Sequence, residues 1–253
     1  MTLSESLKSE STIETPVATL WEEAYLRFET PEEEIRKFES RLQKLGASAW
    51  SRNAKIVELF CGRGNGLRAL HKLGFAHFDG IDLSPRLAGC YQGPGRIIVG
   101  DCRFLPFASA TCDILIVQGG LHHVQELPRD LDQTLREASR VLRPGGRLVV
   151  VEPWLTPFLR LVHFVCGIRL ARFASRKLDA LATMIEHERA TYEHWLTSPD
   201  VVLSALQRYF DVELKTIGWG KLTFVGRRRE ERSTGAVHQG PSPEPVPRSS
   251  GLK

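Results

Sequence analysis

At 253 residues the chain has length for one sizeable core with appendages, and its charged fraction of 25% and apolar fraction of 42% are those of a soluble globular protein. A formal charge of +4, with 34 Lys and Arg offset by 30 Asp and Glu, argues against a nucleic-acid partner. No run reaches the roughly 20 apolar residues of a membrane span, Met1–Ser11 lacks the build of a secretion signal, and the five cysteines match no C-x-x-C pattern; the expectation is a cytoplasmic protein with reduced thiols.

Residues 1–29 are expected to be a partly ordered segment in which Trp21, Tyr25 and Phe28 fall at helical spacing. A well-signalled helix follows, with Thr30 as N-cap, Pro31 at the first position, Glu33 completing a capping box and Gly46 past its end. Its apolar face is Ile35, Phe38, Leu42 and Leu45. Ile56 to Phe60 reads as a short buried strand, closed by Gly62, Gly64 and Gly66 before a helix from Leu67 to Leu73. Glycines there let the backbone bend sharply and let a flat ligand approach the helix-start N–H groups. Glu58 is the anomaly in that strand, because a buried carboxylate needs a hydrogen-bond donor or a cation.

A second strand runs from Phe78 to Leu83, and Ser84-Pro85 caps a helix to about Tyr91. Arg96–Val99 is a third strand, Asp113–Val117 a fourth, and a helix from about Pro128 to Leu142 leads to a fifth strand at Arg147–Val151. Such alternation implies right-handed βαβ crossovers and a parallel sheet with helices on both faces. From Trp154 to Leu196 two helices are expected, forming an insertion or lid over residues 154–197. A helix from Ser198 to Tyr209 precedes strands at Asp211–Ile217 and Lys221–Arg227, whose short joint demands antiparallel pairing. The main domain is placed at 30–227, and the Pro-, Ser- and charge-rich residues 228–253 are expected to form a disordered tail.

In an open parallel sheet ligands bind at the carboxyl ends of the strands, and the unusual polar residues sit there: Glu58 and the glycine turn, Asp82, Asp101, Gln118 and His122. A nicotinamide-binding fingerprint is the nearest rival, but Leu67 stands where its third glycine belongs. His187-Glu188 begins like a zinc-protease helix, yet Thr191 replaces the second histidine.

Four motifs carry a family resemblance: Val57 to Gly64, Gly80 to Pro85, Gly100 to Phe107, and Leu135 to Glu152 with its Arg-Pro-Gly-Gly-Arg core. Together they resemble the class I S-adenosylmethionine-dependent methyltransferases, in the branch with ubiquinone/menaquinone-type and other small-molecule enzymes. The resemblance implies an α/β, Rossmann-like, seven-stranded, mostly parallel sheet with an antiparallel last strand, helices on both faces and a helical insertion after strand five. It implies S-adenosyl-L-methionine as cofactor. Glu58 would then serve the methionine amino group, Cys61, Gly62 and Gly64 the turn beneath the cofactor, and Asp82 the ribose hydroxyls. Leu83 would pack on adenine, Asp101 would accept from the adenine amino group with Cys102 alongside, and Gln118 would line the methionine side. Phe60 departs from the family, which usually has glycine at that position.

The implied reaction moves a methyl group to a small acceptor, a hydrophobic one among the options, with His122 as candidate general base ahead of its neighbour His123. No metal is expected. The absence of an Asp/Asn-Pro-Pro-Tyr motif, with Gln118-Gly119-Gly120-Leu121 in its place, argues against a base amine as acceptor. The apolar stretch Trp154 to Val165 is read first as core, with an apolar lid or a peripheral membrane contact as the alternatives. A non-catalytic cofactor-binding scaffold is the alternative to an enzyme.

Overall fold

A computed structural model describes residues 16–229. The expected tail, apart from Arg228 and Arg229, and the first half of the N-terminal segment lie outside the described residues. The chain opens with helices α1 (Pro16–Phe28) and α2 (Pro31–Lys44). Thr30 and Glu33 form the expected reciprocal capping box, and Gly46 takes the left-handed φ of 86° that ends the segment.

Five strands and three helices then build most of the sheet and its cover: β1 (Lys55–Leu59), α3 (Asn65–Lys72), β2 (His77–Asp82), α4 (Pro85–Gly89), β3 (Arg96–Val99), β4 (Cys112–Gln118), α5 (Arg129–Val141) and β5 (Leu142–Pro153). Four helices follow, α6 (Pro157–Cys166), α7 (Arg169–Ala174), α8 (Arg176–His187) and α9 (Arg189–Thr197), then α10 (Pro199–Tyr209) and the hairpin of β6 (Phe210–Gly218) and β7 (Lys221–Arg228). The strand order is β3-β2-β1-β4-β5-β7-β6, with β7 antiparallel to both neighbours and the other pairings parallel. Trp219 and Gly220, with φ of 51° and 74°, make the tight turn between β6 and β7.

Beyond offsets of one or two residues at element ends, three features differ from the sequence reading. The insertion holds four short helices instead of two, broken at Gly167, Ser175 and Glu188. Strand β5 starts five residues earlier than Arg147, because Leu142 pairs with Cys112 across a register shift that absorbs Pro144, Gly145 and Gly146. Arg228 belongs to β7, where it pairs with Phe210.

The period of two along the central strands sorts the core into two layers. Val57, Leu59, Leu115, Val117, Leu148 and Val150 face one side, with Leu131 and Leu135 of α5 and Leu206 of α10. Ile56, Ile114, Ile116 and Val149 face the other, with Leu67 and Leu70 of α3 and Leu42 of α2. Strand order reverses between β1 and β4, the switch point at which an open α/β sheet presents its ligand crevice.

Candidate functional site

The turn after β1 is held open by its own side chains. Arg63 and Asn65, between the glycines, point away from the crevice and donate to the buried carboxylate of Glu34 on α2 at 3.0 and 2.8 Å, and Tyr25 of α1 donates to the same group at 3.1 Å. Gly62 and Gly64 adopt φ of 53° and 75°, a conformation that side chains resist. Phe60 shares it at φ 55°, at the position where the resembling family has glycine, and its ring packs against Gly120. The thiol of Cys61 is turned inward against Gly80, so this residue offers the crevice only its backbone.

Asp82, at the end of β2, ties the two strand ends together. Its carboxylate accepts from Gly62 N–H at 2.7 Å and from Ser84 N–H at 2.9 Å. Burial raises its pKa against the pull of those donors. Leu83 beside it is 71% exposed. Asp101 stands apart from this set: its Oδ2 accepts from both Nε and Nη2 of Arg103, at 3.0 and 2.7 Å, which holds its pKa low. Cys102 is buried, and its thiol is pushed up to about 12 by desolvation.

At the switch point the ends of β1 and β4 meet α2. Gln118 donates to Glu58 Oε1 at 3.0 Å and accepts from Arg41 Nη1 at 2.9 Å. The second oxygen of Glu58 is buried with no hydrogen-bond partner, and desolvation pushes the carboxyl up to about 8. Burial also weakens the Arg41 cation, which Glu29 and Glu58 oppose. A buried carboxyl with one unpaired oxygen thus lies close to a half-buried guanidinium, the two bridged by Gln118.

After β4, His122 and His123 form a short turn. Glu152 at the end of β5 accepts from the backbone N–H groups of Gly120 and Leu121 at 2.7 and 2.9 Å through one oxygen, and its other oxygen lies 2.7 Å from His122 Nδ1. Burial lowers the imidazole pKa, but the carboxylate outweighs it and the net shift is upward. Helix α1 borders this loop, with the Trp21 ring edge-on to His123 at 5.2 Å.

The rim thus joins Glu58, Gly62, Gly64, Asp82 and Gln118, while Asp101 engages Arg103 and Cys61 and Cys102 are packed inward. Sequence reasoning missed Glu34, Arg41 and Glu188 as neighbours of the site. It also missed the role of Glu152, although an acid ending a buried strand is the same signal that singled out Glu58.

Residues 57–150 match a family model described as Methyltransferase domain. The ubiquinone/menaquinone biosynthesis C-methyltransferase of Cereibacter sphaeroides is 28% identical over 147 residues, 56% of this chain and 52% of that protein. The demethylmenaquinone methyltransferase of Streptomyces avermitilis is 32% identical over 151 residues, 57% of this chain and 56% of that protein. The chain spans about half the length of the curated relatives it matches. Among solved structures, the PH0226 protein of Pyrococcus horikoshii superposes with a TM-score of 0.57 at 20% identity, covering 77% of this chain and 91% of that one. A S-adenosylmethionine dependent methyltransferase of Mesorhizobium loti gives a TM-score of 0.51 at 18% identity, over 74% and 97% of the two chains. Residues 57–150 therefore resemble the methyltransferase domain family, and the chain has the Rossmann-like fold of these solved neighbours.

Proposed function

We propose that this protein is a methyltransferase that uses S-adenosyl-L-methionine to methylate a small molecule. The observation that carries the reading is the Arg41–Gln118–Glu58 chain at the switch point, with a carboxylate oxygen left unpaired in the interior. The methionine end of the cofactor bears an ammonium and a carboxylate, which Glu58 and Arg41 would complement. Asp82 would receive the ribose hydroxyls, and exposed Leu83 would cover adenine. Asp101 would have to share its carboxylate with Arg103 to reach the adenine amino group.

When bound, the cofactor supplies an electrophilic methyl group on a sulfonium. The protein's share is to position the acceptor and take its proton. Glu152 is anchored by two backbone amides, so it fixes the His122 ring with Nδ1–H toward itself and leaves Nε2 as the proton acceptor. Support for a hydrophobic acceptor comes from α6 and α7, where Leu161, Phe164, Leu170 and Phe173 are exposed, while Trp154 and Cys166 are core. No helix among the described residues is long and apolar enough to cross a membrane.

The test is calorimetric titration with S-adenosylmethionine and S-adenosylhomocysteine, run beside NAD. Micromolar binding of both sulfur cofactors, lost in Asp82→Ala, is expected; binding of NAD alone would overturn the reading.

A further inference from the structure

The His122–His123 turn meets a third group from a distant part of the chain. Glu188, at the joint of α8 and α9, places Oε1 3.8 Å from His122 Nε2 and Oε2 2.9 Å from His123 Nδ1. One ligand atom from each of the three residues lies within 4.8 Å of the others. The corner is partly closed to solvent: His122 is 7% exposed, the side chain of Glu188 13% and that of His123 29%.

Two features go beyond an ordinary histidine–carboxylate contact. Oε2 of Glu188 is buried and meets the His123 ring at 2.9 Å in a contact outside good hydrogen-bond geometry. The far nitrogen of His122 is locked by Glu152, which two backbone amides hold in turn. An imidazole fixed from behind by a carboxylate is how proteins orient a metal ligand. Glu152 and Glu188 also bring two acids against two imidazoles in a partly closed corner, where a cation would balance them.

The distances agree with this. Donors about 2.1 Å from one ion, and at the angles of tetrahedral or octahedral sites, lie about 3.0–3.4 Å apart. The Glu188 oxygens lie 3.8 and 2.9 Å from the two imidazole nitrogens, and with all three ligand atoms within 4.8 Å of one another the site would close with shifts of about 1 Å. Two imidazole nitrogens and one carboxylate occupy one side of an ion and leave the other side open.

We propose that His122 Nε2, His123 Nδ1 and the Glu188 carboxylate bind a divalent first-row transition-metal ion. His122 and His123 belong to the loop after β4, where the function proposed above places the acceptor, and the consequence for catalysis rests on that reading. A hydroxyl or enol bound there would be acidified by the ion. His122 would then act as a ligand, and the proton-accepting role of its Nε2 would belong to the metal-free protein.

The full chain, stripped with a chelator and dialysed, is titrated with Co(II) and Zn(II) by calorimetry and by the visible absorption of Co(II). One equivalent of metal is expected. His123→Ala and Glu188→Ala should each weaken binding at least tenfold, and Glu152→Gln by about 10- to 100-fold. The parent chain titrated with S-adenosylmethionine tests the proposed function separately: no cofactor binding alongside stoichiometric metal uptake would count against that function and leave the metal site standing. Circular dichroism checks folding, and if Glu188→Ala is unfolded, His123→Ala decides. No stoichiometric uptake of either metal, or uptake that survives the folded variants, would overturn the proposal.

Discussion

A side chain on Gly66 would begin 2.0 Å from Oε2 of Glu58 and 2.1 Å from Oε1, well inside van der Waals contact. The third glycine of the turn is therefore a space requirement of the carboxylate on β1. In an ordinary helix glycine to alanine gains about 1 kcal/mol. In α3 we expect the opposite: Gly66→Ala displaces Glu58, lowers the melting temperature and abolishes cofactor binding. A stabilised variant with intact binding, read by thermal melting and calorimetry, would show that the carboxylate has room to move.

Glu58 sets a pH dependence of both stability and binding. Its carboxyl stands at 4.5 when free and is pushed up to about 8 by burial in the fold. The folded protein therefore keeps a proton that the unfolded chain has released. That contribution to stability is complete below about pH 4.5 and is lost as pH rises through about 8. Glu58→Gln removes the dependence, so the variant should exceed the parent by ~1–3 kcal/mol above pH 8 and match it near pH 4, in urea unfolding. An ammonium-bearing cofactor requires the ionised form. Parent affinity should therefore rise with pH up to about 8 with proton release on binding, while Glu58→Gln binds weakly at every pH.

Phe60 gives a reversed order of stabilities. With φ at 55° it holds a left-handed conformation that costs a non-glycine residue roughly 1–2 kcal/mol. Truncation to alanine keeps that strain and loses the ring's packing on Gly120; truncation to glycine loses the packing but relieves the strain. Phe60→Gly should thus be about 1 kcal/mol more stable than Phe60→Ala in denaturant melts, although glycine is the more flexible residue in the unfolded chain. The reverse order would mean that the backbone relaxes once the ring is gone.

The His122 imidazole should titrate above its usual range in NMR spectra recorded with chelator present. Burial opposes this, and the Glu152 carboxylate overrides it. Glu152→Gln leaves the desolvation with less to oppose it, so the pKa should fall. A histidine whose titration ignores the substitution would mean that the two side chains part in solution.

What the sequence revealed about this site follows the range over which each signal acts. The capping box at Thr30 and Glu33, the Ser84-Pro85 helix start and the glycine turn are written within a few residues, and each forms as read. The ends of β1, β2 and β4 converge because parallel strands have nowhere else to end. Arg41, Glu34 and Glu188 were not legible as site residues, since on their own helices they look like solvated charges. Only the packing of α2 on α3 and of the α8–α9 joint on the β4 loop turns them inward. The four-helix insertion was underread for a related reason: Gly167 and Ser175 are real breaks, but in an apolar stretch periodicity masks them.

Arg41 separates recognition of the cofactor's two ends. Its half-buried guanidinium donates to Gln118 at 2.9 Å and has Glu29, Glu58, Glu152 and Glu34 as its compensating charges, so a ligand carboxylate arriving there would find a partly desolvated cation. A charge-assisted hydrogen bond in such a place is worth about 1.5–3 kcal/mol. Arg41→Met should therefore weaken S-adenosylmethionine and S-adenosylhomocysteine by about 10- to 100-fold, in line with that energy. 5′-Methylthioadenosine, which keeps the adenosine and lacks both the carboxylate and the ammonium, should bind the variant and the parent alike. Equal losses for all three ligands would mean that Arg41 acts through α2 and the shape of the crevice, and that the carboxylate is held elsewhere.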